Sequence, residues 1–165
     1  MCSVVKTGKV PKSVAFIMDG NRRFATKKGQ EKHKGHAKGL DKLEETMLWC
    51  KGLGITEMTV YALAKDNLKR SKVEVDTLMG LIKNQFGRLA DEKGVFQREN
   101  IRIRILGDLS LLPADVRESL RRTEHITRNN TSSTLNVCIC YSGTDELDEA
   151  IAAEPKNIED FDSMM

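Results

Sequence analysis

Four short apolar runs, separated by stretches with helical spacing, constrain this chain more than any other feature. Val14–Met18, Met58–Leu63, Ile101–Leu106 and Leu135–Tyr141 are each strand-length and hold many β-formers. The first is unbroken, as expected of a strand buried on both faces. The third alternates Ile101, Ile103 and Ile105 with Arg102 and Arg104, which marks a strand with one wet or charge-lined face. Between the runs, Leu40, Leu43, Met47 and Cys50 follow helical spacing over His36–Lys51, and Gly52 and Gly54 end it. Ser71-Lys72-Val73-Glu74 reads as a capping box. The helix it opens carries Val75, Leu78, Met79, Ile82, Phe86, Leu89 and Ala90 on one face, either as core packing or as a groove for an apolar ligand. Pro113 suits the first turn of a helix over Ala114–Thr127 with Val116, Leu120 and Thr123 inward. Gly143 and Thr144 turn into a short acidic helix, Asp145–Ala152. This alternation predicts an α/β fold with a mostly parallel sheet flanked by helices. In such sheets ligands bind beyond the carboxyl ends of the strands, where Asp19, a polar loop over Ala64–Arg70, and Asp108 all fall.

The 165 residues fit one domain. Residues 1–10 read as a mobile, polar N-terminus, 11–152 as the folded part and 153–165 as an acidic tail. No run approaches the roughly 18 apolar residues of a membrane span, and no apolar segment follows the N-terminal lysines as in a signal peptide. Membrane contact is therefore expected to be peripheral. The spacing of Cys2, Cys50, Cys138 and Cys140 matches no zinc pattern, and buried free thiols in a reducing compartment are expected. A strand would place Cys138 and Cys140 on one face. Charge is segregated: residues 1–40 hold ten Lys/Arg against two Asp/Glu, whereas residues 141–165 hold one Lys against eight Asp/Glu. A basic first quarter suits an anionic ligand. Nucleic acid is the weaker option, because aromatics are only 5% of the chain and few lie among the basic residues.

Val14–Arg23 (VAFIMDGNRR) joins these themes. An apolar strand ends in Asp19-Gly20-Asn21, residues that suit a tight turn, and Arg22 and Arg23 follow as two cations. A carboxylate at the end of a buried strand, with guanidinium groups just beyond, can hold a metal and a phosphate. The same residues also suit a strand followed by a solvated basic turn.

The segments PKSVAFIMDGNRRFA, GHAKGLDKLEETMLWCKGLGI, TVYALAKDNLKRSKVEVDTLM, IRIRILGDLSLLP and LNVCICYSG, in that order, resemble the cis-prenyltransferases, the undecaprenyl and dehydrodolichyl diphosphate synthases. The wording RSKVEVDTLM and GDLSLLP is nearest to the eukaryotic dehydrodolichyl branch. The resemblance covers about Pro11–Ala150. It implies condensation of isopentenyl diphosphate onto an allylic diphosphate such as farnesyl diphosphate, repeatedly, with cis double bonds. It further implies Mg²⁺ on Asp19, backbone N–H groups of Gly20 and Asn21 at the phosphates, and Arg22 and Arg23 as charge clamps. Phe24, Lys32, His36 and Arg70 are implied in substrate binding, and Asn67 in catalysis beside Asp19. Lys32 stands where the family has an arginine, so it keeps the charge and loses the bidentate fork. The family pattern Phe-Ser-x-Glu-Asn-aromatic reads Leu63-Ala64-Lys65-Asp66-Asn67-Leu68 here, without the hydroxyl, the longer acid or the aromatic ring. The helix from Ser71 is expected to line the tunnel for the growing chain.

By the same resemblance, the setting is dolichol synthesis for protein glycosylation, at the cytoplasmic face of the endoplasmic reticulum or in the cytoplasm. The partner would be a Nogo-B-receptor-like subunit or a second copy. The family's C-terminal arginine motifs for isopentenyl diphosphate have no counterpart, and no arginine follows Arg128. The alternative expectation is a truncated, catalytically inactive member that binds an allylic diphosphate or a partner only. If further strands normally follow the fourth, a sheet edge and apolar faces are expected to lie uncovered.

Overall fold

The computed structural model describes residues 8–18, 32–89, 91 and 94–153, with 32–41 as helix backbone only. The elements in order are β1 (Ser13–Ile17), α1 (Lys32–Leu53), β2 (Glu57–Ala64), a 3-10 turn (Lys65–Lys69) and α2 (Lys72–Leu89). A short α3 (Val95–Arg98), β3 (Ile101–Leu106), a second 3-10 turn (Leu109–Leu111), α4 (Ala114–Thr127), β4 (Ser133–Tyr141) and α5 (Gly143–Ala152) follow. The strands form one sheet in the order β1-β2-β4-β3, and every ladder is parallel. The α/β fold with a parallel sheet and flanking helices is thus present.

Register explains the layering, because strand side chains alternate faces. One face carries the rows Val14–Met58–Leu135–Ile103 and Phe16–Val60–Val137–Ile105. Its central members are buried in one core with Met47, Met79, Phe86 and Leu120. The other face carries Ser13–Glu57–Thr134–Arg102 and Ala15–Thr59–Asn136–Arg104. Buried Asn136 donates from Nδ2 to Glu57 Oε1 at 2.7 Å and to Thr59 Oγ1 at 3.3 Å. The alternation in β3 is as expected: Ile101 and Ile103 are buried, Arg102 and Arg104 exposed.

α4 matches its expected span, and Val116, Leu120 and Thr123 are buried together with Thr127. It also uses polar side chains to dock. Thr123 Oγ1 donates to Phe86 O of α2 at 3.0 Å. Glu124 Oε1 accepts the Ile105 N–H at 2.7 Å, and Thr127 Oγ1 accepts the Ile103 N–H at 3.1 Å, so the helix caps the edge of β3.

Several boundaries differ from the expectation. α1 begins at Lys32 rather than His36, because the lysines before it are good helix formers and Gly35 costs only about 1 kcal/mol. The loop expected over Ala64–Arg70 is the last residue of β2 followed by the 3-10 turn, in which Arg70 N–H bonds to Asn67 O. β4 starts earlier, at Ser133, and α5 at Gly143. α3 is too short to leave a periodic signal. The capping box is half formed: Glu74 N–H donates to Ser71 Oγ at 3.4 Å, but the Glu74 carboxylate meets the Ser71 hydroxyl instead of its backbone. Cys50, Cys138 and Cys140 are free and buried, as expected. The expected sharing of one face by Cys138 and Cys140 is interrupted. The β2–β4 register shifts there, and Cys140 takes a left-handed φ of 51°. Residues 1–7 with Cys2, residues 19–31 with the expected turn Asp19-Gly20-Asn21, Ala90, residues 92 and 93, and the tail from Glu154 lie outside the described residues.

Candidate functional site

The carboxyl ends of β1 and β2 lie side by side, with Ile17 opposite Tyr61. β1 leads through half-buried Met18 into Asp19, and β2 leads into the 3-10 turn that carries Asn67. The structure thus brings the end of the VAFIM run next to the turn holding Asn67 and Arg70. Asp19, Gly20, Asn21, Arg22, Arg23 and Phe24 themselves lie outside the described residues. Lys32 and His36 fall in the first turns of α1, at backbone level.

Asn67 and Arg70 are both half-buried. Among the described residues neither side chain has a hydrogen bond or ion pair, so an amide and a guanidinium are open to a ligand. Their neighbours are committed elsewhere. Asp66 and Lys69 pair at 2.7 Å within the turn, which lowers the Asp66 carboxyl and raises the Lys69 ammonium from their ordinary values. Lys65 Nζ meets Asp145 Oδ2 of α5 at 2.6 Å, and that hydrogen bond holds Lys65 above the usual lysine value.

An apolar cavity of about 150 Å³ lies between α1, α2 and the apolar sheet face. Met18, Leu43, Val60, Leu78, Ile82 and Phe86 are among its walls. The α2 stripe divides at this point. Met79, Phe86 and Leu89 are buried in the core, whereas Val75, Leu78 and Ile82 remain half-buried. Periodicity left core and groove as alternatives; α2 contributes residues both to the core and to the wall of this cavity. Gln85 also lines the cavity, and its Oε1 is buried without a partner among the described residues. A polar residue on an apolar stripe breaks the period, which is the only sequence signal that could have singled it out.

A second, polar cleft of about 480 Å³ lies at the ends of β3 and β4, lined by Lys65, Gly107, Asp108, Tyr141, Asp145 and Glu149 among others. Gly107 sits at φ 116° beside β4, where a Cβ would run into the Ile139 carbonyl oxygen. Asp108 accepts from Ser110 N–H at 3.0 Å and from Ser110 Oγ at 2.5 Å, so it caps its own turn. Tyr141 bonds through its hydroxyl to Glu146, which with burial pushes it up to about 12. Sequence reading did not single out Lys65, Tyr61, Tyr141 or Asp145 as a group, because their partners are about 80 residues apart.

Among the described residues no group of three or more His, Cys, Asp or Glu could hold a metal, and no helix is long and apolar enough to cross a membrane.

An apolar cavity against one face of a parallel sheet, with a polar turn at the carboxyl end of one of its strands, is the arrangement in which α/β proteins of this class place their ligands. The comparisons give that class its family. The model described as "Putative undecaprenyl diphosphate synthase" matches residues 17–163. The chain belongs to this family, the cis-prenyltransferases. It is 47% identical over 149 residues to the dehydrodolichyl diphosphate synthase complex subunit of Homo sapiens, covering 90% of this chain and 45% of that one. To the geranylgeranyl-diphosphate-specific tritrans,polycis-undecaprenyl-diphosphate synthase of Archaeoglobus fulgidus it is 38% identical, covering 90% and 59%. The solved lavandulyl diphosphate synthase of Lavandula x intermedia, in complex with dimethylallyl diphosphate, superposes with a TM-score of 0.80. Its identity is 26%, over 94% of this chain and 70% of that one. The chain spans about half the length of the curated relatives it matches.

Proposed function

We propose that this chain is a prenyltransferase subunit that condenses isopentenyl diphosphate onto an allylic diphosphate such as farnesyl diphosphate, building a polyprenyl diphosphate of the dehydrodolichyl type. The observation that carries this reading is the juxtaposition at the end of β2. Asn67 and Arg70, whose side chains have no polar partner among the described residues, follow directly on β2, the strand whose Val60, Ala62 and Leu63 line the apolar cavity and which pairs with the strand that leads into Asp19. A diphosphate at the turn and its hydrocarbon in the cavity satisfy both surfaces at once. Arg70, with Arg22 and Arg23, offers charge to a leaving diphosphate, where fixed cations are worth most. The half-buried Leu78 and Ile82 of α2, which line the cavity, support a tunnel role for that helix.

Mg²⁺ suits this chemistry, because a hard cation takes carboxylate and phosphate oxygens together. On this reading Asp19, a carboxylate just beyond the end of β1, would hold the ion jointly with the diphosphate. When bound, the ion neutralises charge on the leaving group. Lys32 and His36, in the first turns of α1, would add to phosphate binding on this reading.

Dolichol synthesis for protein glycosylation at the cytoplasmic face of the endoplasmic reticulum is the setting this reading favours, with peripheral membrane contact. The partner is a Nogo-B-receptor-like subunit or a second copy. A second reading rests on one sequence fact, that residues 129–165 hold no arginine to clamp a second diphosphate. On that reading the chain binds an allylic diphosphate or a partner without turnover.

Incubation with Mg²⁺, farnesyl diphosphate and radiolabelled isopentenyl diphosphate, alone and with a candidate partner, separates the two. Labelled polyprenyl product in either case supports the enzyme reading. Farnesyl diphosphate binding without product supports the second, and absence of binding overturns both. Asp19→Ala is expected to abolish any turnover and weaken Mg²⁺-dependent binding by about 100-fold, the scale of losing a charged anchor. Unchanged binding in that variant would remove Asp19 from the site.

A further inference from the structure

We propose that Lys65 is a positioning residue: its ion pair with Asp145 fixes the turn that presents Asn67 and Arg70 to a diphosphate. The proposal rests on the reading of that turn as a diphosphate site. It concerns the one position that the pattern Phe-Ser-x-Glu-Asn leaves variable.

The turn has little else to hold it. None of its residues is buried, and only Leu68 leans on the core. Its closing backbone bond, Arg70 N–H to Asn67 O, is long at 3.4 Å. The Asp66–Lys69 pair lies wholly inside the turn and ties it to nothing. Among the described residues, Lys65 Nζ–Asp145 Oδ2 is the only side-chain polar link from the turn to another element.

The receiving end is already braced. The Tyr61 hydroxyl of β2 donates to the Tyr141 carbonyl of β4 at 2.9 Å. The two rings meet edge to face, with centroids 5.9 Å apart. The Tyr141 hydroxyl then bonds to Glu146, next to Asp145 in the first turn of α5. A closed circuit therefore runs from β2 through β4 and α5 and returns through Lys65 to the end of β2. Each side chain in it fixes the next, which is how a supporting shell holds ligand-binding groups in register.

Charge gives the pair a second effect. Asp145, Glu146, Asp148 and Glu149 crowd one side of the polar cleft, and among the described residues Lys65 is the only cation in its lining. With Lys65 engaged, the carboxylate nearest the turn is neutralised. Without it, an unpaired Asp145 faces the site of an incoming polyanion.

The test uses the full chain with Lys65→Met, Asp145→Asn, the double variant, and the exchange Lys65→Asp with Asp145→Lys. Farnesyl diphosphate affinity in Mg²⁺ is read by calorimetry, turn motion by hydrogen exchange of the amides of residues 65–70, and global stability by the thermal midpoint. Each single variant is expected to weaken binding by about three- to tenfold, a cost typical of a small loss of placement. The double variant should be no worse than either single one, and the exchange should recover most of the loss. Faster exchange should be confined to the turn, with the midpoint moving by no more than about 2 °C, because a partly exposed pair adds little to global stability. Unchanged affinity in Lys65→Met while the unsubstituted chain binds would overturn the proposal. Strictly additive losses, or exchange rising across the whole sheet, would do the same. If the unsubstituted chain does not bind farnesyl diphosphate, the diphosphate reading fails and takes the ligand half of the proposal with it. Hydrogen exchange then still decides the brace: unchanged turn amides in Lys65→Met overturn it, and faster turn amides alone support it.

Discussion

The two outer strands of the sheet end in opposite ways. β3 is sealed by its own chain: α4 lies along its edge, and Glu124 and Thr127 accept the Ile105 and Ile103 N–H groups that would otherwise face outward. Its core residues Ile101 and Ile103 are 0% and 1% exposed. β1, at the other end of the sheet, has a strand neighbour on one side only among the described residues, and Ile17 is 82% exposed with Phe16 at 40%. An unpaired apolar edge is a template for a further strand or another chain. The open edge runs straight into Asp19. The half of the sheet that carries the proposed site is the half that presents uncovered apolar surface.

Isoleucine truncation puts numbers on the contrast. Ile103→Ala is expected to cost about 3 kcal/mol in denaturant unfolding, the range for a deleted core side chain. Ile17→Ala should stay within about 0.5 kcal/mol, as for an exposed position. Equal costs would mean that β1 is covered in solution. A cost for Ile17→Ala that grows with protein concentration would identify a second copy as the cover. Next in size is Thr127→Val. The side chain is buried, and its hydroxyl both accepts from Ile103 N–H and donates to Thr123 O at 2.9 Å. Leaving that buried N–H unpaired should cost about 2 kcal/mol. Thr127→Ser, which keeps the hydroxyl, should retain most of the stability; equal losses in the two variants would show that the edge bond contributes nothing.

The same contrast describes what could be read in the sequence. The β3 side was legible because its signals are local and periodic: the Ile/Arg alternation, Pro113 before α4, and the inward set Val116, Leu120 and Thr123. The edge bonds from Glu124 and Thr127 were not, since a helix residue accepting from a strand N–H leaves no period. At the carboxyl ends, Asn67 and Arg70 were found only through the family pattern. Lys65 was passed over because its meaning depends on Asp145, and no spacing rule links positions so far apart. Helix ends were misplaced where Lys-rich sequence carries no stop signal, as at Lys32. The bulge at Cys140 is a tertiary event: Gly107 lets β3's end approach the β4 backbone, and a plain alternation rule cannot anticipate that.

The smallest expected effect concerns the carboxylate that closes the sealed strand. Asp108 follows β3 as Asp19 follows β1, yet it is consumed locally by the Ser110 hydroxyl and backbone N–H, which hold its carboxyl below the ordinary value. A carboxyl depressed in the folded state adds stability that is fully present above its unfolded pKa, about 3.9. That contribution is lost as pH falls through the lower folded value. Asp108→Asn should therefore narrow the gap between stability at neutral pH and in this acid window, by a small amount because the group is exposed. Thermal midpoints from neutral pH down to about 3 check this. A variant whose acid profile superposes on that of the unsubstituted chain would show that the Asp108 cap does not outlast solvent competition, and the difference between the two strand ends would then rest on α4 alone.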